Sequence, residues 1–238
     1  ADNTHLRGLN LGSSYAIDSA GWHSFFTMLS NSNSPLKELL VHTNNIDDAG
    51  VTALANWLEN NKTLKLLNLS TNPGISSDGW RTFFRLLQNS NCKIENLCLS
   101  EVSIDNDTIV PLVASLGSMD SLKTLSFDSN GAITAEGWQT FSNLLRSPNC
   151  MLTKLSLDHN TLTNEAMTAL ANALIHNRIL CVMHLDSFLL TLATITTGWV
   201  ALSDTLCDKS SIDSTYSSNH ILRELFEDSA DEFYSLDD

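Results

Sequence analysis

Residues Leu64 to Asn72 read LKLLNLSTN, and this stretch decides the fold. Apolar residues occupy its first, fourth and sixth places, and an asparagine occupies its ninth. The same spacing returns along most of the chain. Such a repeat predicts that each copy forms one structural unit, and that neighbouring units stack to bury a shared core.

Seven copies of the pattern follow one another, with first places spaced alternately by 30 and 28 residues. The first places are Leu6, Leu36, Leu64, Ile94, Leu122, Leu152 and Leu180. A degenerate eighth copy is predicted after them, with Tyr216 and Asn219 as its sixth and ninth places. In the seventh copy Gly198 comes later than the spacing predicts, which indicates a small insertion within residues 186–197.

Each copy divides into two halves. The fourth and sixth places alternate as in a strand, so both side chains should point into the core. The second half carries apolar residues at helical spacing, such as Trp80 and Phe84. Asp48, Asn106 and Asn164 precede the helices of the short copies, and we expect them to be N-caps. A strand followed by a helix, without a return strand, predicts a parallel sheet inside and helices outside.

The repeats resemble the leucine-rich repeat family, and their lengths resemble the subtype of ribonuclease inhibitor and Ran GTPase-activating protein. The resemblance covers about residues 6–222. It implies an α/β solenoid of seven to eight repeats, shaped as a curved horseshoe with the parallel β-sheet on its concave face and α-helices on its convex face. It also implies that the ninth-place asparagine hydrogen-bonds the backbone of adjacent turns. Asn44, Asn72, Asn130 and Asn160 match this place, whereas Ser14, Val102 and Phe188 depart from it.

The two ends of the chain are predicted to differ. Residues 1–222 form a single repeat domain, and residues 223–238 form an acidic cap or tail with seven carboxylates against Arg223. Residues 221–226 have the pattern of a short amphipathic helix that would close the core. The first strand has no predicted cap, so either the chain is a fragment of a longer one or its edge pairs with a second copy in a homodimer.

Composition narrows the classes of partner. The formal net charge of −14 would repel phosphate backbones and anionic lipid, so we expect no binding to nucleic acid or to a membrane. Five cysteines without metal or disulfide spacing favour a reducing, cytosol-like compartment. N-glycosylation sequons at Asn61, Asn68 and Asn106 instead favour a secreted protein, so the compartment stays open.

An aspartate ladder is the sharpest feature predicted on the concave face. Third, fifth and seventh places should point outward, and Asp128, Asp158 and Asp186 share the seventh place in successive copies. Strands about 4.8 Å apart would align these carboxylates. The ladder could bind a basic protein segment, hold a metal ion, or simply face water. His159 and His184 lie beside it, without the spacing of a metal or acid–base motif.

A second candidate patch lies at the other end of the concave face. Leu40 and Leu66 are predicted to form a small apolar spot with His42, and Glu38 and Lys154 share the third place with Leu66 in their own copies. Scattered surface leucines are common in proteins, so this spot could equally have no binding role. Cys98, at a fifth place, is predicted to face outward.

No stretch of the sequence carries a phosphate loop, a zinc-protease motif or a nucleophile elbow. We therefore predict a non-catalytic protein without a cofactor, which binds a partner protein, preferably with a basic surface, through the concave sheet and its rims. Two alternatives remain: a GTPase-activating or other regulatory subunit, as the resemblance allows, and a segment of a larger receptor or signalling protein.

Overall fold

Seven short strands form one parallel sheet in the computed structural model, which describes residues 5–30, 34–88, 93–185, 196–207 and 210–225. The strands are β1 (Gly8–Asn10), β2 (Glu38–Leu40), β3 (Leu66–Asn68), β4 (Asn96–Cys98), β5 (Thr124–Ser126), β6 (Lys154–Ser156) and β7 (Val182–His184). Each strand pairs with the next one along the chain, in the order of the sequence.

A helix follows each strand and returns the chain to the start of the next. The helices are α1 (Ser19–Ser30), α2 (Asp48–Asn60), α3 (Ser77–Gln88), α4 (Asn106–Ser118), α5 (Ala135–Arg146), α6 (Asn164–Leu174), α7 (Thr196–Cys207) and α8 (Ile212–Ser217). From α1 to α7 each helix packs against its neighbours in sequence. The predicted strand-and-helix solenoid is confirmed.

The core lies between the sheet and the helices. Strand pairing aligns the fourth places of the repeats, so that Leu39 stands beside Leu67 and Leu67 beside Leu97. All three are fully buried, as are Trp80 and Phe84 on the inner side of α3. The fourth- and sixth-place side chains of the second to seventh copies therefore form the core, whereas in the first copy Leu9 and Leu11 are only half-buried and Leu6 is exposed.

The ninth-place asparagines tie neighbouring repeats together. The Asn72 amide donates to the carbonyl of Leu69 (2.8 Å) in its own repeat and to that of Val41 (3.1 Å) in the preceding repeat. Ser14 and Val102 have no side-chain amide, but their backbone N–H groups donate to the side-chain oxygen of the asparagine in the following repeat. Buried backbone groups of these turns are thereby satisfied even where the motif is incomplete.

The predicted N-caps are displaced by one residue. Asp47, Asp105 and Thr163 cap α2, α4 and α6, each accepting a hydrogen bond from a backbone N–H of the first helical turn. Asp48 and Asn106 instead reach the next repeat, where they accept from the backbone N–H groups of Ser76 and Thr134, which precede α3 and α5. Asn164 similarly accepts from Gly198 in α7. These side chains link helices in adjacent repeats.

The end of the chain differs from the prediction in two ways. Tyr216 lies in α8, so Tyr216 and Asn219 are not the sixth and ninth places of an eighth copy. Residues 221–225 are not helical, and Glu224 forms a parallel bridge with Val182. The L-x-x-L spacing of Leu222 and Leu225 fits both a helix and the first and fourth places of a repeat. Because Glu224 pairs with β7, the segment forms the start of a repeat and not a helix. Phe226 lies outside the described residues.

Two further predictions concern regions at the margins of the described structure. Residues 186–195, which contain most of the predicted insertion, lie outside the described residues, and so does Phe188. Strand β1 pairs only with β2 among the residues that the structure describes.

No helix in the described part of the chain is both long enough and apolar enough to cross a bilayer.

Candidate functional site

In the middle of the concave sheet the outward-pointing side chains form a closed layer, which we call the floor. The third- and fifth-place side chains of β3, β4 and β5 are all less than a tenth exposed. They are Leu66, Asn68, Asn96, Cys98, Thr124 and Ser126. Neighbouring strands lie about 4.8 Å apart, so side chains in one row cover each other. Residues that were predicted to face a partner are therefore shielded from solvent here.

Two predicted site residues fall on this floor or beside it. Leu66 is 1% exposed, so the prediction that it forms an exposed apolar spot with Leu40 is wrong. His184 in β7 is also buried, at 2% exposure, which removes it from the accessible surface. Glu38, Leu40 and His42 are half-buried and remain accessible at the N-terminal end of the sheet. The His42 ring lies over Gly12 of the first repeat, where a Cβ would collide with it.

The Cys98 thiol is enclosed in the floor, where burial disfavours a reactive thiolate. Burial, and secondarily the nearby Asp128 carboxylate, raise its pKa to about 12. A thiol with such a pKa stays protonated at neutral pH, and only the thiolate attacks or binds metals. The prediction that Cys98 is exposed on the concave face is wrong, because its neighbours on β3 and β5 cover it.

Asp128 lies at the centre of a hydroxyl network that joins three repeats. Its carboxylate accepts hydrogen bonds from the hydroxyls of Ser100 (3.1 Å), Ser126 (2.9 Å) and Ser156. It also accepts from the backbone N–H of Asp158 (3.0 Å). These contacts use both carboxylate oxygens, so Asp128 is committed to holding the strand ends of β4, β5 and β6 together.

The predicted aspartate ladder is thus only partly described. Asp128 and Asp158 occupy the same place on paired strands and are both half-buried, whereas Asp186 lies outside the described residues. His159 is exposed directly after Asp158, with a left-handed backbone (φ 56°). Lys154 is half-buried at the start of β6. Among the described residues, no three His, Cys, Asp or Glu side chains stand close enough to hold a metal ion.

Charge is concentrated on the edge where the strands end, which we call the strand-end rim. It comprises the six segments that run from the residue after each of β1–β6 through the fourth residue of the following helix. These segments contain eleven acidic residues and no lysine or arginine. The acids are Asp18, Asp47, Asp48, Asp78, Glu101, Asp105, Asp107, Asp128, Glu136, Asp158 and Glu165.

The opposite edge, the strand-start rim, has the opposite charge. It runs from the last four residues of each of α1–α6 through the first residue of the next strand, and its described residues include nine bases and four acids. The bases are Lys37, Lys62, Lys65, Arg85, Lys93, Lys123, Arg146, Lys154 and Arg178. At its centre Glu95 is paired with Lys65 (2.7 Å) and Lys123 (2.8 Å).

The parallel stacking of the repeats explains part of this segregation. Each of the helices α1–α6 begins at the strand-end rim and ends at the strand-start rim, so the positive ends of their dipoles lie on one side. Acids in the first turn and bases in the last turn are favoured by these dipoles. The pattern was missed in the sequence because each repeat contributes only one to three charges, and only stacking assembles them into rims.

The three sequons have structural roles that oppose glycosylation of the folded chain. The Asn61 side-chain oxygen accepts from the backbone of Thr63 and Leu64, and the residue is 9% exposed. Asn68 is 4% exposed within β3. Asn106 is engaged by Thr134 through both its amide nitrogen and its oxygen. The amide nitrogen that would carry a glycan is enclosed or hydrogen-bonded in the contacts of Asn61 and Asn106.

Comparison with known proteins identifies the repeats. A family model described as "Leucine Rich repeat" matches residues 32–55 and 149–171. Mouse NACHT, LRR and PYD domains-containing protein 14 is 31% identical over 151 residues, which make up 63% of this chain and 15% of that protein. Mouse ribonuclease inhibitor is 28% identical over 180 residues, which make up 76% of this chain and 39% of the inhibitor.

A solved structure supports the same fold. A chain in the crystal structure of the yeast Rad7 and Elc1 complex superposes with a TM-score of 0.54 at 19% identity, covering 74% of this chain and 41% of that one. This chain spans less than a fifth of the first NACHT-containing relative and about two fifths of the ribonuclease inhibitor. The matched relatives share with it a repeat architecture that commonly serves as a protein-interaction module.

Proposed function

From the premise that this chain is a leucine-rich repeat protein of the ribonuclease-inhibitor-like subtype, we propose that it binds a partner protein through the strand-end rim of its concave sheet, with no catalytic step of its own. The observation that carries the proposal is the strand-end rim, with its eleven acids and no lysine or arginine. A basic protein surface is its natural complement.

The closed floor supports the strand-end rim as the contact surface. The buried side chains on β3–β5 present little accessible surface to a partner. Several acids of the strand-end rim, in contrast, are exposed. Glu101, Asp107 and Glu136 are exposed, and none of them caps its own helix through a side-chain bond. Glu101 and Glu136 are therefore the best candidates for direct contact, together with Asp107, whose carboxylate faces Arg81 (3.8 Å), and half-buried Asp158.

Names of relatives support a protein as the ligand class. Ribonuclease inhibitor is named for its action on an enzyme, and the yeast structure is of a complex between two proteins. A purified panel of ribonucleases is accordingly a sensible first set of partners. Nothing in the described residues favours the GTPase-activating alternative.

Site-specific photo-crosslinking tests which surface is used. A photoreactive amino acid at Glu101 or Glu136 is expected to capture one and the same protein, while the same probe at Met28 or Val200, exposed on α1 and α7, does not. Binding of that purified partner should weaken strongly with salt and with the combined changes Glu101→Lys, Asp107→Lys and Glu136→Lys. The control is Glu59→Lys on the strand-start rim, compared with Glu101→Lys alone, which changes the net charge equally. Capture from α1 and α7 alone would contradict the proposal.

A second candidate function is that of one repeat segment within a larger signalling protein. The observation that favours it is the small share, 14–18%, of the NACHT-containing relatives that this chain spans. In that case the partner could be another domain of the same protein. Sequencing the complete transcript distinguishes the two functions, because a NACHT-type domain encoded upstream would support the second.

A further inference from the structure

We propose that the basic row on the strand-start rim is a second docking surface, which binds an extended acidic segment of a partner protein. The basic row consists of the residues directly before β1 to β5, namely Arg7, Lys37, Lys65, Glu95 and Lys123, and Arg7 extends the strand-start rim by one repeat. Four of the five are basic, in a chain whose net charge is −14. The row is distinct from the strand-end rim, so the inference does not depend on the proposed function.

The backbone holds the basic row in a fixed alignment. The carbonyl of each member accepts a hydrogen bond from the N–H of the next: Arg7 from Lys37 (2.6 Å), Lys37 from Lys65 (2.7 Å), Lys65 from Glu95 (2.7 Å) and Glu95 from Lys123 (2.8 Å). Four strand spacings give the row a length of roughly 19 Å, which an extended peptide spans with about six residues. The docking surface is therefore rigid and short.

Glu95 shows how a carboxylate fits this row. Its two oxygens pair with Lys65 (2.7 Å) and Lys123 (2.8 Å) on the neighbouring repeats. These two hydrogen bonds, first that of Lys123, lower the pKa of the Glu95 carboxyl below its usual range. Arg7 and Lys37 are exposed and have no ion pair among the described residues. A partner carboxylate can therefore bind at this end without displacing an internal one.

The charge of the whole chain favours an acidic peptide over nucleic acid. A nucleic acid carries a phosphate on every nucleotide and extends well beyond a row of about 19 Å. Its further phosphates would meet the strongly negative field of the strand-end rim and of the chain as a whole. A short peptide with alternate carboxylates places its charge on the row alone.

A peptide-binding experiment tests the inference with the intact chain. The probe is a short fluorescent peptide of alternating glutamate and serine, and its glutamine analogue is the neutral control. In low-salt buffer we expect Arg7→Glu combined with Lys37→Glu to weaken binding roughly tenfold. Lys62→Glu combined with Arg146→Glu alters the net charge equally on the same rim but outside the row, and should have little effect.

One further variant separates docking from loss of fold. Glu95→Gln releases Lys65 and Lys123 from their internal partner, so it should increase the affinity for the acidic peptide. Equal weakening by both double variants, or no gain from Glu95→Gln, would overturn the inference. Tighter binding of a single-stranded oligonucleotide, or of a peptide with the sequence of residues 226–238, would also overturn it by identifying a different occupant.

Discussion

The side-chain oxygen of Asn106 stands 2.5 Å from the position that a Cβ on Gly137 would occupy. This oxygen accepts a hydrogen bond from the backbone N–H of Thr134 (3.1 Å), while the Asn106 side-chain nitrogen donates to the Thr134 hydroxyl (2.7 Å). The N-cap residue of α5, Thr134, is thus held by a residue of the preceding repeat. Glycine in the Gly-Trp pair of this copy is explained by the space that the Asn106 side chain requires.

Gly137→Ala is expected to lower the free energy of unfolding by about 1–3 kcal/mol, because the new methyl group collides with Asn106 and with the Ile133 side chain. Chemical denaturation measures the loss. In an Asn106→Ala background the same change should cost less, although the Ile133 contact remains. Gly117→Ala is the control: its Cβ would make only an ordinary van der Waals contact with the Leu144 side chain (3.9 Å), so it should leave stability unchanged or slightly raised.

Ser115→Ala is expected to stabilise the protein by about 1 kcal/mol. The Ser115 side chain in α4 is fully buried, and its hydroxyl has no hydrogen-bond partner among the described residues. Alanine occupies the equivalent place, Ala173, in α6. Urea denaturation should show a higher midpoint with an unchanged slope.

The matched control for this change is Ser142→Ala in α5. Ser142 is equally buried, but its hydroxyl donates to the Trp138 carbonyl (2.8 Å). Its removal should be neutral or destabilising by up to about 1 kcal/mol. If both alanine variants shift the midpoint in the same direction by the same amount, the unsatisfied hydroxyl is not the cause.

The repeat positions were predictable because a single period sets both the strand and the core. Leu39, Leu67 and Leu97 could be assigned from spacing alone, and the structure buries all three. Asp47 and Asp48 show where such reasoning ends: both are good cap residues, and only the approach of the next helix decides which helix each one caps. Adjacent polar residues leave that choice to tertiary structure.

The candidate site was less predictable than the core. Alternation correctly placed Leu66 and Cys98 on the concave side of the strands, but it could not show that neighbouring strands would cover them. Exposure depends on the size of side chains about 4.8 Å away on other repeats, which a single strand's pattern does not contain. The charged rims are equally a product of stacking.

The pH dependence of stability should include a contribution from Glu95. Hydrogen bonds from Lys123 and then Lys65 lower its pKa in the folded chain relative to the unfolded value of about 4.3. The contribution is therefore fully present above that value and is lost as the pH falls through the lower, folded pKa. Stability curves of the wild type and of Lys123→Met should converge in acid and separate near neutral pH. A constant difference at all pH values would contradict the assignment.

Asp128→Asn is expected to destabilise the chain by roughly 2 kcal/mol, because an amide cannot accept all the bonds that the carboxylate takes from three serine hydroxyls and a backbone N–H. Denaturation of this variant, beside Asp158→Asn on the next strand, measures the difference. The Asp128 variant should unfold at clearly lower denaturant, since its carboxylate joins β4, β5 and β6. Equal stabilities, with partner binding lost only in the Asp128 variant, would instead make its carboxylate a contact residue and contradict its role in joining the repeats.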